Sequence, residues 1–330
     1  MLVKDAFMAN LVHDPRLIHV NAVLFLDSHH RPMSPLIRRL FLATRPMFFP
    51  ASAVPVAVGT AWGLRDGAPL SPVPLLLALV GMACLHAGAN VINDVGDALN
   101  GSDRLNTDRI PPFTGGSRVI QDGLLGLRAM ALWGCVLLLA GAAVGGSLVA
   151  SKGLTILVFG LVGGGLALAY SLPPFSLASR GLGEAAVALG FGLPVAASAW
   201  LQSGTFSLVA ILAAATVGCW TAAILICNEV PDIKADEAAG KRTLVVRMGA
   251  KSAPSIYVAV QALASALMLA QGWLSEMPPW ATVPPLLTVL AALAAAPLMM
   301  GGRGSQLAAI RVTLAIHLLG GIWLTAAALV

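Results

Sequence analysis

Long stretches of this sequence contain no Asp, Glu, Lys, Arg or His. Three of them cover residues 129–150, 206–227 and 279–302. A helix of about 20 apolar residues crosses the hydrocarbon core of a bilayer. Hydrophobic residues make up 58% of the 330 residues and charged residues only 11%, whereas soluble domains contain roughly 45–50% apolar residues. The sequence therefore predicts an integral membrane protein and argues against a water-soluble one.

The apolar pattern predicts an all-α, multi-pass transmembrane bundle of about nine helices. The predicted spans cover residues 47–64, 74–93, 129–150, 154–170, 182–201, 206–227, 254–274, 280–300 and 308–330. Residues 46–330 are predicted to form the transmembrane domain, and residues 1–45 a cytoplasmic N-terminal extension. Within that extension, residues 36–42 mix apolar and basic side chains and fit either an interfacial helix or a disordered segment. In the fourth span, Gly160 and Gly164 form a small-xxx-small pair that predicts helix packing.

Lys and Arg lie almost entirely on one side of this bundle. That side receives the N-terminus and the loops 94–128, 171–181, 228–253 and 301–307. Of the 20 Lys and Arg residues, only Arg65 and Lys152 fall on the other side. Because positive residues near helix ends are retained in the cytoplasm, the long loops are predicted to be cytoplasmic and the bilayer to be the cell inner (plasma) membrane. Since topology explains the net charge of +5, no nucleic-acid partner is predicted.

Acidic residues recur at helical spacing after the second and the sixth predicted spans. The sequence Asn-Asp-Val-Gly-Asp at residues 93–97 begins one polar loop, and Asn-Glu-Val-Pro-Asp at residues 228–232 begins the other. These similar openings indicate two pseudo-repeated four-helix halves followed by one further helix. Acids three or four residues apart share a helix face, and their carboxylates repel unless a cation intervenes. The pattern predicts a cation site at two cytoplasmic helix ends.

Magnesium fits such a cluster, because Mg²⁺ binds a few carboxylates and completes its shell with waters and phosphate oxygens of a substrate. The predicted metal ligands are Asp94, Asp97, Asp103, Asp232 and Asp236. Glu229 and Glu237 are expected to point away from this cluster. Basic side chains near the acids can hold diphosphate oxygens through charge-assisted hydrogen bonds. These are Arg104, Arg109, Arg118, Lys234, Lys241 and Arg242.

The paired motifs resemble those of the UbiA superfamily of intramembrane prenyltransferases. The first motif of that family, N-D-x-x-D followed by a further Asp, corresponds to residues 93–97 and Asp103, and the second, D-x-x-x-D, to residues 232–236. The resemblance covers roughly residues 40–330. Residues 240–249 look especially like the branch that prenylates 1,4-dihydroxy-2-naphthoate in menaquinone synthesis.

The resemblance implies a reaction and a set of roles. Two Mg²⁺ ions would assist the loss of pyrophosphate from a polyprenyl diphosphate, and an aromatic acceptor would take the isoprenyl chain. We assign catalytic roles to Asp94, Asp97, Asp232 and Asp236 and substrate binding to Asn90, Asn93, Arg104, Arg109, Arg118, Tyr170, Asn228, Lys241 and Arg242. Residues 109–112 read Arg-Ile-Pro-Pro where naphthoate enzymes often have Arg-x-Gly-Pro. This departure makes 4-hydroxybenzoate, another ring or a lipid the alternative acceptor.

Several further residues allow two interpretations. Tyr170 fits a cavity wall that stabilises an allylic cation or an interfacial anchor. Glu184 fits a contact with acceptor or metal, or a favourable partner of a helix dipole. Arg45 either reaches the diphosphate or marks the membrane boundary. His86 and His317 lie inside spans, where an ionisable group is either functional or packed in its neutral form.

An ion-coupled transporter is the alternative from another functional class. Carboxylates in the membrane and repeated halves also fit transport. The acids of this sequence fall at predicted helix ends, not near the middle of the bilayer. That placement favours the enzyme.

Overall fold

The computed structural model describes residues 34–65 and 67–329. The α-helices are α1 (Pro35–Ala43), α2 (Phe49–Leu64), α3 (Pro72–Asn100), α4 (Ser102–Leu105), α5 (Leu127–Lys152), α6 (Leu154–Ser171), α7 (Gly183–Ser203), α8 (Leu208–Ala238), α9 (Leu244–Met248), α10 (Ala253–Leu274), α11 (Val283–Ala295) and α12 (Arg303–Ala328). These residues contain no β-strand. The predicted all-α fold is confirmed.

Nine helical segments of the described residues are long and apolar enough to cross a membrane. They are Pro46–Leu64, Pro72–Asn100, Leu127–Lys152, Leu154–Ser171, Gly183–Ser203, Leu208–Ala238, Ala250–Leu274, Pro279–Met300 and Arg303–Ala328. Some of these segments combine an α-helix with a short 3-10 turn at one or both of its ends. The number and order of the predicted spans are confirmed, and the chain is an integral membrane protein.

The N-terminal extension falls mostly outside the described residues, which begin at residue 34. The described residues from Arg39 onward belong to one compact unit. Residues 36–42 belong to α1, so the helical interpretation of this stretch is confirmed. Its location at a membrane surface stays a prediction.

Two helices continue well beyond their predicted ends. α3 runs to Asn100 and α8 to Ala238, whereas the apolar pattern ends at residues 93 and 227. The prediction that the acidic motifs begin loops was therefore wrong. Hydropathy detects where a helix leaves the apolar layer, but the backbone hydrogen bonds of a helix continue through polar residues. α3 stops at Gly101, whose φ of 84° favours glycine and whose N–H donates to the Asp97 carbonyl.

The helix α8 is the centre of the bundle. In its most apolar window 67% of the residues are buried, against 6% for α6. α8 packs against α7, α10 and α12, while α3 packs mainly against α5. Trp220 on α8 is completely buried in the main hydrophobic core. The second acidic motif thus lies on the most firmly packed helix.

Close helix packing occurs at glycines other than the predicted pair. A Cβ atom at Gly59 would overlap the carbonyl oxygen of Val195, and one at Gly63 would overlap that of Ala199. α2 and α7 therefore approach each other at a small-xxx-small pair. At Gly160 and Gly164 an added Cβ would meet nothing within 4 Å. The packing role predicted for that pair was wrong, because α6 lies at the edge of the bundle.

Candidate active site

One large cavity lies among the helices α3, α5, α6, α7 and α8, with a volume of about 800 Å³. Most of its wall consists of Leu, Val, Ala, Gly and Phe side chains. Carboxylates line it where α3 and α8 end, near Asp97 and Asp236. The C-terminus of α6 lies there too, since the Asn93 amide donates to the Ser171 hydroxyl at 3.2 Å. The volume falls in the range of about 300–1,000 Å³ typical of small-molecule sites.

Lys241 joins the two acidic motifs at the polar end of this cavity. Its Nζ lies 3.0 Å from Oδ1 of Asp97 and 3.1 Å from Oδ1 of Asp236. Burial disfavours the ammonium form, but the two carboxylates outweigh it and raise the pKa of Lys241. The two carboxylates therefore stabilise the ammonium form of Lys241 between the two motifs.

A loop after the first motif contacts the second. The Asn106 amide donates to Asp232 at 2.7 Å, and the Gly115 N–H donates to the same carboxylate at 3.2 Å. Gly115 and Gly116 both have φ of 73°, which a residue without a Cβ adopts without strain. A Cβ at Gly116 would also lie 2.6 Å from Oδ2 of Asp103. Glycine is thus required where the loop passes the acids.

Asp103 lies on the short helix α4 and is 4% exposed. Its carboxylate accepts a hydrogen bond from the Gln121 amide at 3.1 Å. Burial, together with the neighbouring Asp97 carboxylate, raises the pKa of Asp103 to about 7. An added cation would therefore stabilise the ionised form of this group.

Arg45 and Asp94 form a buried ion pair beside the cavity. Arg45 also donates to the Asn93 side-chain oxygen at 3.3 Å, and Asp94 accepts from the Ser117 N–H at 3.2 Å and from its hydroxyl. Burial disfavours the charged guanidinium, but the carboxylates of Asp94, Asp103 and Asp97 together outweigh it and raise the pKa of Arg45. Arg45 has φ of 53°, an uncommon conformation for a residue with a side chain, and such strain concentrates at functional sites. Arg45 lines the cavity, whereas Asp94 does not.

The structure brings only part of the predicted substrate-binding set to the cavity. Asn90, Asn93, Tyr170, Asn228 and Lys241 line it. Arg104, Arg109, Arg118 and Arg242 do not.

The four arginines that do not line the cavity have other surroundings. Arg104 and Arg242 are exposed, and the Arg118 guanidinium is used in a hydrogen bond to the Asp103 carbonyl. Arg109 packs beside Gly115, because a Cβ atom added at Gly115 would lie 2.7 Å from the Cβ of Arg109. Lys234 is exposed and pairs with Asp108 at 2.8 Å. These basic residues therefore lie outside the cavity wall, and their role at a diphosphate stays a prediction.

Some residues of the cavity wall were missed by the sequence interpretation. Glu229 lines the cavity, so the expectation that it points away was wrong, whereas Glu237 is exposed as expected. Glu229, Asp232 and Asp236 follow an i, i+3, i+7 spacing, which places them on one face of α8. That spacing was a usable signal. The sequence contains no such signal for Asn106 and Gly115, because their contacts with Asp232 depend on how the loop folds.

The two histidines differ in their surroundings. His86 lines the cavity, shares a hydrogen bond with Ser52 and contacts Phe191 edge-on at 5.1 Å between ring centroids. His317 is 2% exposed and packs edge-on against Trp220, away from this cavity.

The donor chemistry at the polar end fits a hard cation. Its side chains offer carboxylate and amide oxygens, which suit Mg²⁺, whereas thiolates and imidazoles suit softer metals. Within residues 34–65 and 67–329, no three His, Cys, Asp or Glu side chains converge closely enough to hold an ion alone. Mg²⁺ needs no such cage, since it commonly takes one or two carboxylates together with waters and substrate phosphates.

Comparison with known proteins decides the family. Residues 52–312 match the model of the UbiA prenyltransferase family. The chain belongs to this family. The UbiA membership makes the protein a prenyltransferase and removes the alternative of an ion-coupled transporter.

Several relatives of this UbiA protein carry names from quinone synthesis. It is 35% identical over 210 residues to a 1,4-dihydroxy-2-naphthoate octaprenyltransferase of Escherichia coli, covering 62% of this chain and 67% of the relative. A 2-carboxy-1,4-naphthoquinone phytyltransferase of Synechocystis is 30% identical over 262 residues, covering 76% and 79%. A 1,4-dihydroxy-2-naphthoate octaprenyltransferase of Mycobacterium tuberculosis is 30% identical over 275 residues, covering 80% and 87%.

Solved structures share the fold. A UbiA homologue from Aeropyrum pernix aligns with a TM-score of 0.65 at 21% identity, covering 82% of this chain and 96% of the homologue. A UbiA homologue from Archaeoglobus fulgidus, bound to DMAPP and Mg²⁺, aligns with a TM-score of 0.62 at 18% identity, covering 87% and 99%.

Proposed function

We propose that this UbiA enzyme transfers an isoprenyl chain from a polyprenyl diphosphate to 1,4-dihydroxy-2-naphthoate in menaquinone synthesis. One observation carries the proposal: Asp97 and Asp236, from the two acidic motifs, meet at Lys241 where a large apolar cavity becomes polar. The names of the E. coli and M. tuberculosis relatives support the acceptor. The excess of Lys and Arg on one side supports a site that faces the cytoplasm from the inner (plasma) membrane.

The diphosphate would bind between the two motifs. Asp97 and Asp103 would hold Mg²⁺ from one side, and Asp232 and Asp236 from the other. The Archaeoglobus homologue with bound DMAPP and Mg²⁺ supports this cofactor. When bound, Mg²⁺ neutralises the negative charge that develops on the leaving pyrophosphate.

Basic groups of the cavity would bind the remaining phosphate oxygens. Lys241 already lies between the two motifs, and its ammonium supplies three N–H donors. Arg45 presents a planar guanidinium that can donate two parallel hydrogen bonds. Asp94 lies behind Arg45 and would act as a positioning residue, because its carboxylate contacts Arg45 and Ser117 and does not line the cavity.

The isoprenyl chain would occupy the apolar part of the cavity. Its wall there is made by α3, α5, α6 and α7, and it excludes water from an allylic cation that water would otherwise capture. Tyr170 lines the cavity near the carboxylates, where the face of its ring can stabilise positive charge.

A reaction assay tests this function. The purified protein in lipid nanodiscs is incubated with geranyl diphosphate (GPP), Mg²⁺ and either 1,4-dihydroxy-2-naphthoate or 4-hydroxybenzoate. The products are identified by mass spectrometry. We expect prenylated, decarboxylated product from the naphthoate, release of pyrophosphate, and neither after EDTA treatment. Product from 4-hydroxybenzoate alone would overturn the acceptor.

A pair of variants tests the site in the same assay. Asp232→Asn should abolish product formation, because it removes a carboxylate that lines the cavity. Asp108→Asn changes an exposed acid that pairs with Lys234 outside the cavity and should leave turnover unchanged. Equal activity of the two variants would contradict the assignment of Asp232.

A further inference from the structure

Two buried glutamates lie together beside the cavity, and the proposed diphosphate site does not use them. Glu184 is 8% exposed and Glu229 is 7% exposed. Glu184 lies in the first turn of α7, and Glu229 lies on the cavity-lining face of α8. Their side chains lie close enough to interact with each other.

Among the residues that the structure describes, no Lys or Arg forms an ion pair with either glutamate. Both oxygens of Glu184 are buried without a well-aligned donor, and its interactions are with Glu229 and its own backbone N–H. Glu229 accepts a long hydrogen bond, 3.5 Å, from the Val245 N–H and interacts with the Thr243 hydroxyl. The other titratable groups that act on the pair are Tyr170 and Asp236. The nearby Lys241 ammonium is bound to Asp97 and Asp236.

The pair lies deeper in the cavity than the proposed diphosphate site. Glu229 precedes Asp232 by three residues and Asp236 by seven on the same face of α8. At 1.5 Å rise per residue, it lies roughly 5–10 Å deeper in the cavity than the carboxylates proposed to bind the diphosphate. A Cβ at Gly183, adjacent to Glu184, would lie 3.6 Å from the Tyr170 ring. The pair is thus beside the reaction centre but apart from the metal ligands.

Two close carboxyls in an apolar wall have a defined chemistry. With both ionised they repel, and none of residues 34–65 and 67–329 supplies a cation that pairs with them, so one shared proton stabilises them. A second proton removes the remaining buried charge. Such a pair accepts a proton readily, which is the property of a general base.

We propose that Glu184 and Glu229 form the base that accepts the hydroxyl proton of the aromatic acceptor, an inference that rests on the proposed prenyl transfer. The O–H bond breaks as its proton moves to a Glu229 oxygen, and the O–H electron pair forms a ring carbonyl. The ring carbon uses its π electrons to bond C1 of the isoprenyl group, while the C1–O bond breaks and its electrons leave with pyrophosphate. Loss of carbon dioxide from the attacked carbon returns electrons to the ring, and the proton returns from Glu229 to the oxygen.

Amide variants test this inference. Glu229→Gln and Glu184→Gln keep the size of each side chain but remove its basic oxygen, and the exposed Glu237→Gln on the same helix is the matched control. Binding of GPP with Mg²⁺ identifies folded protein and should be unchanged in all of them. Because general acid–base catalysis contributes about 10²–10⁴-fold, the turnover of Glu229→Gln should fall by at least roughly 100-fold with KM for GPP unchanged.

An acceptor with a more acidic hydroxyl distinguishes a general base from a residue that only supports the structure. A ring-fluorinated acceptor, whose hydroxyl is already ionised at the assay pH, needs no base, so it should restore most of the turnover of both variants. An equal loss with the fluorinated and the parent acceptor would overturn the inference, as would turnover equal to that of Glu237→Gln. If the unaltered enzyme prenylates neither acceptor, the proposed function itself fails, a result distinct from a wrong base.

Discussion

Asp97 on α3 and Asp236 on α8 contact the same ammonium group, that of Lys241, at 3.0 and 3.1 Å. The two acidic motifs, far apart in the sequence, therefore meet at one place in the structure. Lys241 occupies the space between them, where a cation or a diphosphate can bind. Its positive charge keeps two carboxylates close together that would otherwise repel.

Replacement of Lys241 should make stability depend on magnesium. Lys241→Met keeps a side chain of similar length but leaves Asp97 and Asp236 without their cation, and breaking a buried ion pair costs about 3–5 kcal/mol. We expect a lower Tm in EDTA and partial recovery on addition of Mg²⁺, which can bind the freed carboxylates. Thermal unfolding in detergent with and without Mg²⁺ measures both.

Lys234→Met is the matched control for that experiment. Its ammonium is exposed and pairs with Asp108 at the surface, where ion pairs contribute little. Its Tm should equal that of the unaltered protein. A Lys241→Met protein with the same Tm and no response to Mg²⁺ would contradict the proposed bridging role.

The contact between α2 and α7 should be sensitive to one methyl group. In Gly59→Ala the new Cβ would overlap the Val195 carbonyl, and such overpacking costs about 1–3 kcal/mol. Gly165→Ala is the control, because its Cβ meets nothing within 4 Å. Denaturation in detergent should show a clear loss of stability for Gly59→Ala only. Equal stability of both variants would refute the close approach of α2 and α7.

A larger side chain on the part of α6 that lines the cavity should restrict the length of the isoprenyl donor. Gly160 lines the cavity with open space around it, about 15 Å along the helix from Tyr170. Gly160→Leu should keep turnover with GPP but lose it with octaprenyl diphosphate, because the distal part of a long chain would clash. Competition between the two donors, followed by mass spectrometry, measures the change.

Gly165→Leu is the control for donor length. Gly165 also has open space around it but does not line the cavity. Its donor preference should match that of the unaltered enzyme. The same preference in Gly160→Leu would place the isoprenyl chain elsewhere.

The sequence predicted the spans and the acidic motifs because both depend on local patterns. Hydropathy identifies helices that cross a bilayer, and helical spacing places Asp94 with Asp97 and Asp232 with Asp236. Helix ends escaped prediction, since the polar turns of α3 and α8 leave the apolar layer without leaving the helix. The packing glycines escaped for a related reason: Gly59 and Gly160 look alike until the neighbouring helix is known.

The choice among basic residues could not be predicted either. Lys241 and Arg242 are adjacent in the sequence, but only Lys241 lines the cavity. Gly240 has φ of 76° and the Lys241 N–H bonds to the Asp236 carbonyl at 2.8 Å, so the chain turns back over the end of α8. Arg242 follows outside that turn, where its N–H bonds to the Ser179 carbonyl. This turn is a tertiary feature that charge and spacing do not encode.

Joint binding of one diphosphate by the two motifs is tested most directly by a double-mutant cycle of Mg²⁺-dependent GPP binding. The proteins are the unaltered enzyme, Asp97→Asn, Asp236→Asn and the double variant, each titrated with GPP at several Mg²⁺ concentrations. If both carboxylates serve one metal-diphosphate site, each single change removes most of the Mg²⁺-dependent affinity and the double change adds little, because residues in one network are not additive. Losses that simply add, or GPP binding that does not depend on Mg²⁺ in the unaltered protein, would contradict a shared site.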